Sequence, residues 1–245
     1  VSGGTPVNLE PGIVRVQSRS RDGGEWSALS EATFLVDVEP ASADNLVITK
    51  VMFNPAAPNE AEEAAGFDRR GDFEYFEVLN KGGTTIHLGG VHFEAGIQFT
   101  FPFGTMLDPG ERLVVVSNMA AFEMRYGAGL SIAGEFENNS NLDDGGELLH
   151  LVDASDQTIA EFTYDDDETM GWPSGPDGEG YALVIRNPES GGDPDLAGSW
   201  RSSGRPGGQP GLDDRVTLDS WKASNFDAAQ LADPGVSGDL ADPDL

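Results

Sequence analysis

The 245-residue chain has no cysteine, few basic residues, three histidines and no long apolar run. Without cysteine it can form no disulfide framework, thiol nucleophile, CxxC zinc site or iron–sulfur cluster. Lys and Arg number 14 against 43 Asp and Glu, a formal net charge of −29. That balance argues against nucleic acid, whose phosphates are held by clustered Lys and Arg, and against anionic lipid. No apolar stretch approaches the roughly 18 residues that a spanning helix needs, so membrane insertion is not expected. The N-terminus lacks Met, a basic flank and an apolar core, and shows no signal peptide. The start at Val1 and the stop at Asp242-Pro243-Asp244-Leu245 read as the limits of a piece of something longer.

What is present is glycine (32), proline (15) and many short apolar runs between turn residues, the pattern of an acidic, loop-rich, all-β protein. Residues 1–40 form the first segment. After the turn Leu9-Glu10-Pro11-Gly12, Val14 and Val16 alternate with Arg15 and Gln17, a strand with one wet face. Asp22-Gly23-Gly24 supplies residues tolerant of positive φ, and the return strand carries Phe34, Val36 and Val38. Two strands cannot bury a face alone. The hairpin is therefore expected either to pack on the next domain or to be the end of an upstream one. Residues 41–45 read as a linker and 46–211 as the main body.

In that body, strands are expected at 46–53, 73–79, 84–93, 97–101, 112–117, 147–152, 158–164 and 181–185, the spacing of a β-sandwich. Met119–Tyr126 alone reads as helix, with Asn118 as N-cap and Gly127 just past its end. Phe99, Phe101 and Phe103 sit two apart and are expected to line one core face. Residues 187–211, rich in Gly, Pro and Ser, read as an extended strap. Residues 212–245 read as an irregular acidic tail containing a short helix at 220–231, with Trp221, Phe226 and Leu231 as its apolar contacts.

Enzyme motifs are missing. Gly171-Trp172-Pro173-Ser174-Gly175 places serine one position late for a nucleophile elbow, and there is neither an HExxH pair nor a phosphate-binding glycine loop. Carboxylate pairs are plentiful by chance among 43 acids and carry no weight for glycoside hydrolysis. His87 and His92, at odd spacing on one expected strand, should point to opposite faces, and His150 is distant in sequence. Calcium, which takes six to eight oxygens from flexible loops, is the one cofactor weighed. Its weak candidates are Asp165, Asp166, Asp167 and Glu168, with Asp143-Asp144 and Asp239, Asp242 and Asp244 as further acidic groups. No complete calcium loop is present.

Several stretches, in order, resemble the lamin-tail domain. They are Ile48-Thr49-Lys50-Val51-Met52-Phe53-Asn54-Pro55, Phe73-Glu74-Tyr75-Phe76-Glu77-Val78-Leu79-Asn80, Thr85-Ile86-His87-Leu88-Gly89-Gly90-Val91, Phe101-Pro102 through Pro109-Gly110 with Leu113-Val114-Val115-Val116, and Leu142-Asp143-Asp144-Gly145-Gly146-Glu147. Trp172-Pro173 and Trp200 with Pro206-Gly207 resemble the closing elements. The resemblance implies an immunoglobulin-like β-sandwich. Residues 56–71 and 129–141 look like long insertions in it. The preceding hairpin resembles the last two strands of a fibronectin type III-like or chitobiase C-terminal-like module, through Asp22-Gly23-Gly24, Trp26-Ser27 and Phe34. The tail resembles the linker before calcium-binding Asp-rich repeats. The expectation is a non-catalytic module of a larger exported bacterial protein, extracellular or at the cell surface. It would serve adhesion, spacing or the binding of a protein or cell-surface ligand, with the inserted loops as the partner surface. The alternatives are an accessory domain of a secreted hydrolase or nuclease, and a calcium-stabilised surface module.

Overall fold

The computed structural model describes residues 6–190 and 192–214, together with 226, 228–231 and 233. Two compact units are distinguished, Val1–Leu212 and Asp213–Leu245.

The first unit opens with a hairpin. Strands β1 (Gly12–Ser18) and β4 (Ser30–Val36) pair antiparallel with Val14 opposite Phe34, and the short β2 (Arg21–Asp22) and β3 (Glu25–Trp26) pair beyond them. Arg19 and Arg21 lie 4.5 and 5.4 Å from the centre of the Trp26 ring, a cation–π pairing at the tip. The hairpin does not gain a covered apolar face. Phe34 is 46% exposed, and Val14 and Val16 are only half-buried.

The body is built on a six-stranded sheet in the order β12-β11-β7-β6-β15-β16. Its strands are β6 (Leu46–Met52), β7 (Tyr75–Asn80), β11 (Arg112–Val116), β12 (Ile132–Glu135), β15 (Leu183–Ile185) and β16 (Trp200–Ser202). Two three-stranded sheets accompany it. One has the order β14-β13-β9, from β9 (His92–Ala95), β13 (Leu148–Val152) and β14 (Thr158–Thr163). The other has the order β10-β8-β5, from β5 (Glu39–Pro40), β8 (Ile86–His87) and β10 (Met106–Leu107). Period-two alternation sends Phe76 and Val78 inward with Ile48, Val51 and Val115. There they share one core with Phe93, Leu151 and Phe162 and with Ile86 and Leu107. Phe76 is its hub, edge-on to Phe93 at 4.9 Å and stacked on Phe136 at 6.2 Å. Aromatic pairs of this kind add about 0.5–1.5 kcal/mol each beyond area burial.

The other face of the large sheet is covered as well. Tyr75, Val114, Val116 and Val184 form a second cluster under Phe122 of α2 (Met119–Tyr126). The helix starts where expected, with the Asn118 side chain accepting from the Ala121 amide, and ends at Gly127. It connects β11 to β12, which run parallel, so this corner is a strand–helix–strand crossover. Of the strap expected at 187–211, residues 197–202 instead hold a 3₁₀ turn and β16; residues 204–212 run over the same face, where the Tyr75 hydroxyl donates to the Gly207 carbonyl at 2.9 Å.

Several expectations are corrected. The strand expected at 84–93 is two strands on separate sheets, because Gly89 and Gly90 turn the chain between β8 and β9. No ladder forms over 97–101, which holds only an isolated bridge from His92 to Thr100. Phe99 and Phe101 are core, but Phe103 is 74% exposed. It sits in the turn closed by the Thr105 amide on the Pro102 carbonyl and rests on His87 instead. The stretch read as linker, 41–45, is folded into the body, with Ala41 and Asn45 buried and β5 paired to β8.

Both stretches read as inserted loops are packed. Residues 129–141 contain β12 and the buried Phe136. Residues 56–71 contain α1 (Glu60–Ala64), started by a capping box in which Asn59 and Glu62 satisfy each other's backbone amides. Glu62, buried, receives a bidentate grip from Arg125 of α2, Nε to Oε1 at 2.9 Å and Nη2 to Oε2 at 2.6 Å. The same guanidinium lies 3.4 Å over the Phe73 ring. Arg125→Ala is therefore expected to cost about 2 kcal/mol, in the range of charge-assisted hydrogen bonds. It should also speed hydrogen exchange of the amides of residues 61–66 at least tenfold. Unchanged exchange there would show that Arg125 does not anchor the segment.

In the second unit, the described residues include α3 (Ala228–Leu231), the last turn of the helix expected at 220–231. Trp221 lies outside the described residues.

Candidate functional site

The first candidate is the end of the sandwich where the acidic loops meet. Glu74 leads into β7, Asp143, Asp144 and Glu147 precede β13, and Asp165, Asp166 and Asp167 follow β14. Gly146 makes the close approach possible. At φ 102° it runs beside the backbone of Tyr164 and Asp165, where a Cβ would collide. The Tyr164 hydroxyl then donates to the Asp143 carbonyl at 2.8 Å, and Glu147 accepts from the Asp143 amide at 2.9 Å.

Glu74 is the unusual member. It is 3% exposed and accepts from the Leu142 amide at 2.8 Å. Burial, reinforced by the charges of Asp144 and Glu147, pushes its carboxyl up to about 8 against the opposing Leu142 bond and Arg69. Glu147 and Asp144 are also raised, each by burial first and by Asp143 among the further causes. Burial pushes the Tyr164 phenol up as well. A carboxyl that stays protonated at neutral pH can act as a general acid where a substrate can reach it. At 3% exposure Glu74 is nearly closed to a solvent-borne substrate.

Of the four residues singled out for calcium, Asp165 and Asp167 bond within their own loop. Asp165 accepts from the Asp167 amide at 2.8 Å, and Asp167 accepts from the amide and hydroxyl of Thr169 at 2.8 and 2.6 Å. Those bonds hold the Asp167 carboxyl below its ordinary range, while burial raises that of Asp166. Asp167 thus caps the single 3₁₀ turn Glu168–Met170. Among the described residues, Asp165, Asp166, Asp167 and Glu168 do not gather into a group of three close enough to share an ion. Asp239, Asp242 and Asp244 lie outside the described residues.

The second candidate is a buried ionic cluster that the pattern of charges alone does not reveal. Glu77 has no exposed surface, yet it sits at the centre of β7. Its Oε1 accepts from Lys50 Nζ at 2.7 Å, Arg112 Nη1 at 2.9 Å and the Thr49 hydroxyl at 2.7 Å. Its Oε2 accepts from the Gly211 amide at 2.6 Å. A bulge in β6 between Ile48 and Lys50 brings Thr49 and Lys50 to the same carboxylate. Lys50 also donates to the Leu212 carbonyl at 2.6 Å, so the cluster pins the strap to the sheet. Its bonds are all spent inside the fold, which makes it structural. The signal available in the sequence was Lys50 facing Glu77 on neighbouring strands.

Two of the three histidines share a sheet and the third lies on another. His87 accepts from the Gly104 amide at 3.3 Å, and burial lowers its imidazole. His92 and His150 come together on the sheet β14-β13-β9, where His150 is registered with Ala95. Sequence distance had set them apart. An open groove of about 360 Å³ between β6 and β14 is walled by Leu46, Ile48, Ile159, Phe162, Ile185 and Trp200, which suits an apolar group. No helix among the described residues is long and apolar enough to cross a membrane.

Residues 39–166 match the Lamin Tail Domain family. Comparison with curated proteins and with solved structures returns no match. The matched stretch runs from β5 through β14, and the preceding hairpin lies outside it. A match over more than half of a mostly β chain with few helices settles the affiliation: the chain belongs to the lamin tail domain family, which implies an immunoglobulin-like β-sandwich.

Proposed function

We propose that this chain is a non-catalytic β-sandwich module of a larger exported protein, used for adhesion, spacing or the binding of a protein or cell-surface ligand. One observation supports this reading above the rest. The buried charged side chains of the body, Lys50, Glu62, Glu74 and Glu77, are at most 3% exposed and each bonds within the fold. The chemistry that could be reactive is therefore locked in structure, and the acidic groups that face solvent lie on loops. The Asp165 to Glu168 run is left out of the proposal as a calcium site, since its turn already uses the carboxylates of Asp165 and Asp167.

The test has two arms. Incubation of the chain with phosphodiester, phosphomonoester, ester and glycoside reporters should give turnover at the buffer background. Flow of beads coated with the chain over matrix proteins, glycans and identically coated beads should show saturable retention on one surface if it adheres, and on none if it is a spacer. Turnover that disappears on substitution of a carboxylate of the chain would overturn the non-catalytic reading. It would also exclude an accessory role beside a catalytic domain elsewhere.

A further inference from the structure

The solvent face of the sheet β14-β13-β9, with the turn between β13 and β14, carries His92, His150 and the carboxylates of Glu94, Asp156 and Glu161, the last 3.9 Å from His150 Nε2. His92 and Glu94 share that face of β9, since the intervening Phe93 points into the core. The ladder to β13 skips Glu94, a bulge that leaves it opposite no residue, and its carboxylate reaches His150 Nδ1 at 3.2 Å. Asp156 comes from the turn joining β13 to β14. That turn is fixed by Asp153, whose carboxylate accepts from the amides of Ser155 and Gln157 at 2.7 and 3.0 Å. Asp156 itself is held at φ 62°, a conformation uncommon for any residue with a side chain. The result is that its carboxylate lies 3.7 Å from His92 Nε2.

From this arrangement we infer that His92, Glu94 and Asp156 form a site for a divalent first-row transition ion, zinc foremost, with His150 positioning Glu94. Ligand atoms of the three lie within 4.8 Å of one another. A tetrahedral ion with bonds of about 2.0–2.2 Å sets its ligands about 3.3–3.6 Å apart, so roughly 1 Å of closure is needed. Glu94 and Asp156 are both exposed, so no packed side chain opposes that shift.

The tautomer of His92 is the second, independent argument. Its Nδ1 lies 3.0 Å from the Gly90 carbonyl, which can only accept, so Nδ1 is the donor there and Nε2 is the ring nitrogen left to a ligand. That is the orientation metal-bound histidines take, with the far nitrogen fixed by a carbonyl. Gly90 is held in place in turn. At φ 87° it packs so closely on Ala154 of the β13–β14 turn that a Cβ would come within 2.9 Å of that residue's Cβ. Nε2 therefore faces the Asp156 carboxylate at 3.7 Å, too long for a hydrogen bond and open to a cation between them.

Charge and donor type select the ion. A neutral imidazole with two carboxylates totals −2, which one divalent ion cancels. A nitrogen donor among three ligands favours zinc and its neighbours over calcium, which takes oxygen throughout. Three protein ligands leave a fourth position, and it opens to solvent, for water or for a carboxylate or imidazole of another molecule. His150, bonded also to Thr158 Oγ1 at 3.0 Å, holds the Glu94 carboxylate toward that centre.

Calorimetric titration of the metal-stripped chain with zinc chloride tests the site. One equivalent should bind, and a tenfold excess of calcium should not compete. His92→Ala and Asp156→Asn should each abolish that equivalent, the latter retaining a residue that tolerates the left-handed turn. His150→Gln should weaken it about 10–100-fold, the usual effect of removing an outer partner. His87→Ala should leave it unchanged. Circular dichroism of each variant separates loss of binding from loss of fold. Zinc should also raise the melting temperature of the parent chain and not that of His92→Ala, since a ligand bound only by the folded state stabilises it. Absence of stoichiometric binding, binding that survives His92→Ala, or displacement by calcium would each overturn the inference.

Discussion

Replacing Glu77 with alanine is expected to lower the unfolding free energy by roughly 3–5 kcal/mol, the range for removing one partner of a buried ion pair. The substitution leaves Lys50 and Arg112 without the carboxylate they share and the Gly211 amide without its acceptor. Lys50 is 1% exposed at its side chain and cannot turn to water without opening the strap. Urea unfolding monitored by tryptophan fluorescence reads the loss directly. The triple variant Lys50→Met/Glu77→Leu/Arg112→Met should recover more than half of it, because apolar side chains of similar volume no longer bury an uncompensated charge. A loss below about 1 kcal/mol for Glu77→Ala would mean that the cluster contributes little.

The second large effect runs with pH. Glu74 titrates near 4.5 when unfolded and at about 8 in the fold. Between those values the native state holds a proton that the unfolded chain releases, so stability falls as pH rises. The contribution is fully present below pH 4.5 and lost through pH 8. Each pH unit between the two midpoints is worth about 1.4 kcal/mol, so the interval amounts to a few kcal/mol in order of magnitude. Glu74→Gln keeps an oxygen for the Leu142 amide and removes the titration. Its unfolding free energy should vary less between pH 5 and 8 than that of the parent, and should exceed it at pH 8. Raised Glu147 and Asp144 act in the same direction, while the lowered His87 acts in the opposite one. The difference between parent and variant therefore isolates Glu74. Parallel curves for the two would refute the assignment.

Most of the body was legible where side-chain alternation and burial coincide. Phe76 and Val78 against Tyr75 marked β7, and Asn118 with Gly127 bounded α2 to the residue. What escaped had a physical reason in each case. Strand β12, Ile132-Ala133-Gly134-Glu135, has little apolar alternation and is a strand because β11 and α2 present an edge to it. Helix α1 lay in the stretch read as an inserted loop: Asn59 with Glu62 three residues on is a capping pair, but its five residues are too few for a periodic stripe. Glu77 alternates with the core residues Phe76 and Val78, and only the returning strap, more than 130 residues later, closes over it. The histidines illustrate the same limit. Spacing along the chain says which face of a strand a residue takes, whereas the meeting of His92, Glu94 and Asp156 depends on a bulge and on a turn held left-handed.

The way the chain enters the body has a mechanical consequence. Strand β5 is tied to β8 by a short parallel ladder, with the Glu39 amide donating to Thr85 and the Ala41 amide to His87. The next strand, β6, lies between β7 and β15 in the middle of the largest sheet. Tension applied at residue 38 meets a weak latch first and a strong clamp second. A small load frees β5 and lengthens the connection to the N-terminal hairpin by a few residues. Any larger load must then tear β6 from two neighbours at once, so the module yields slightly under strain before it resists.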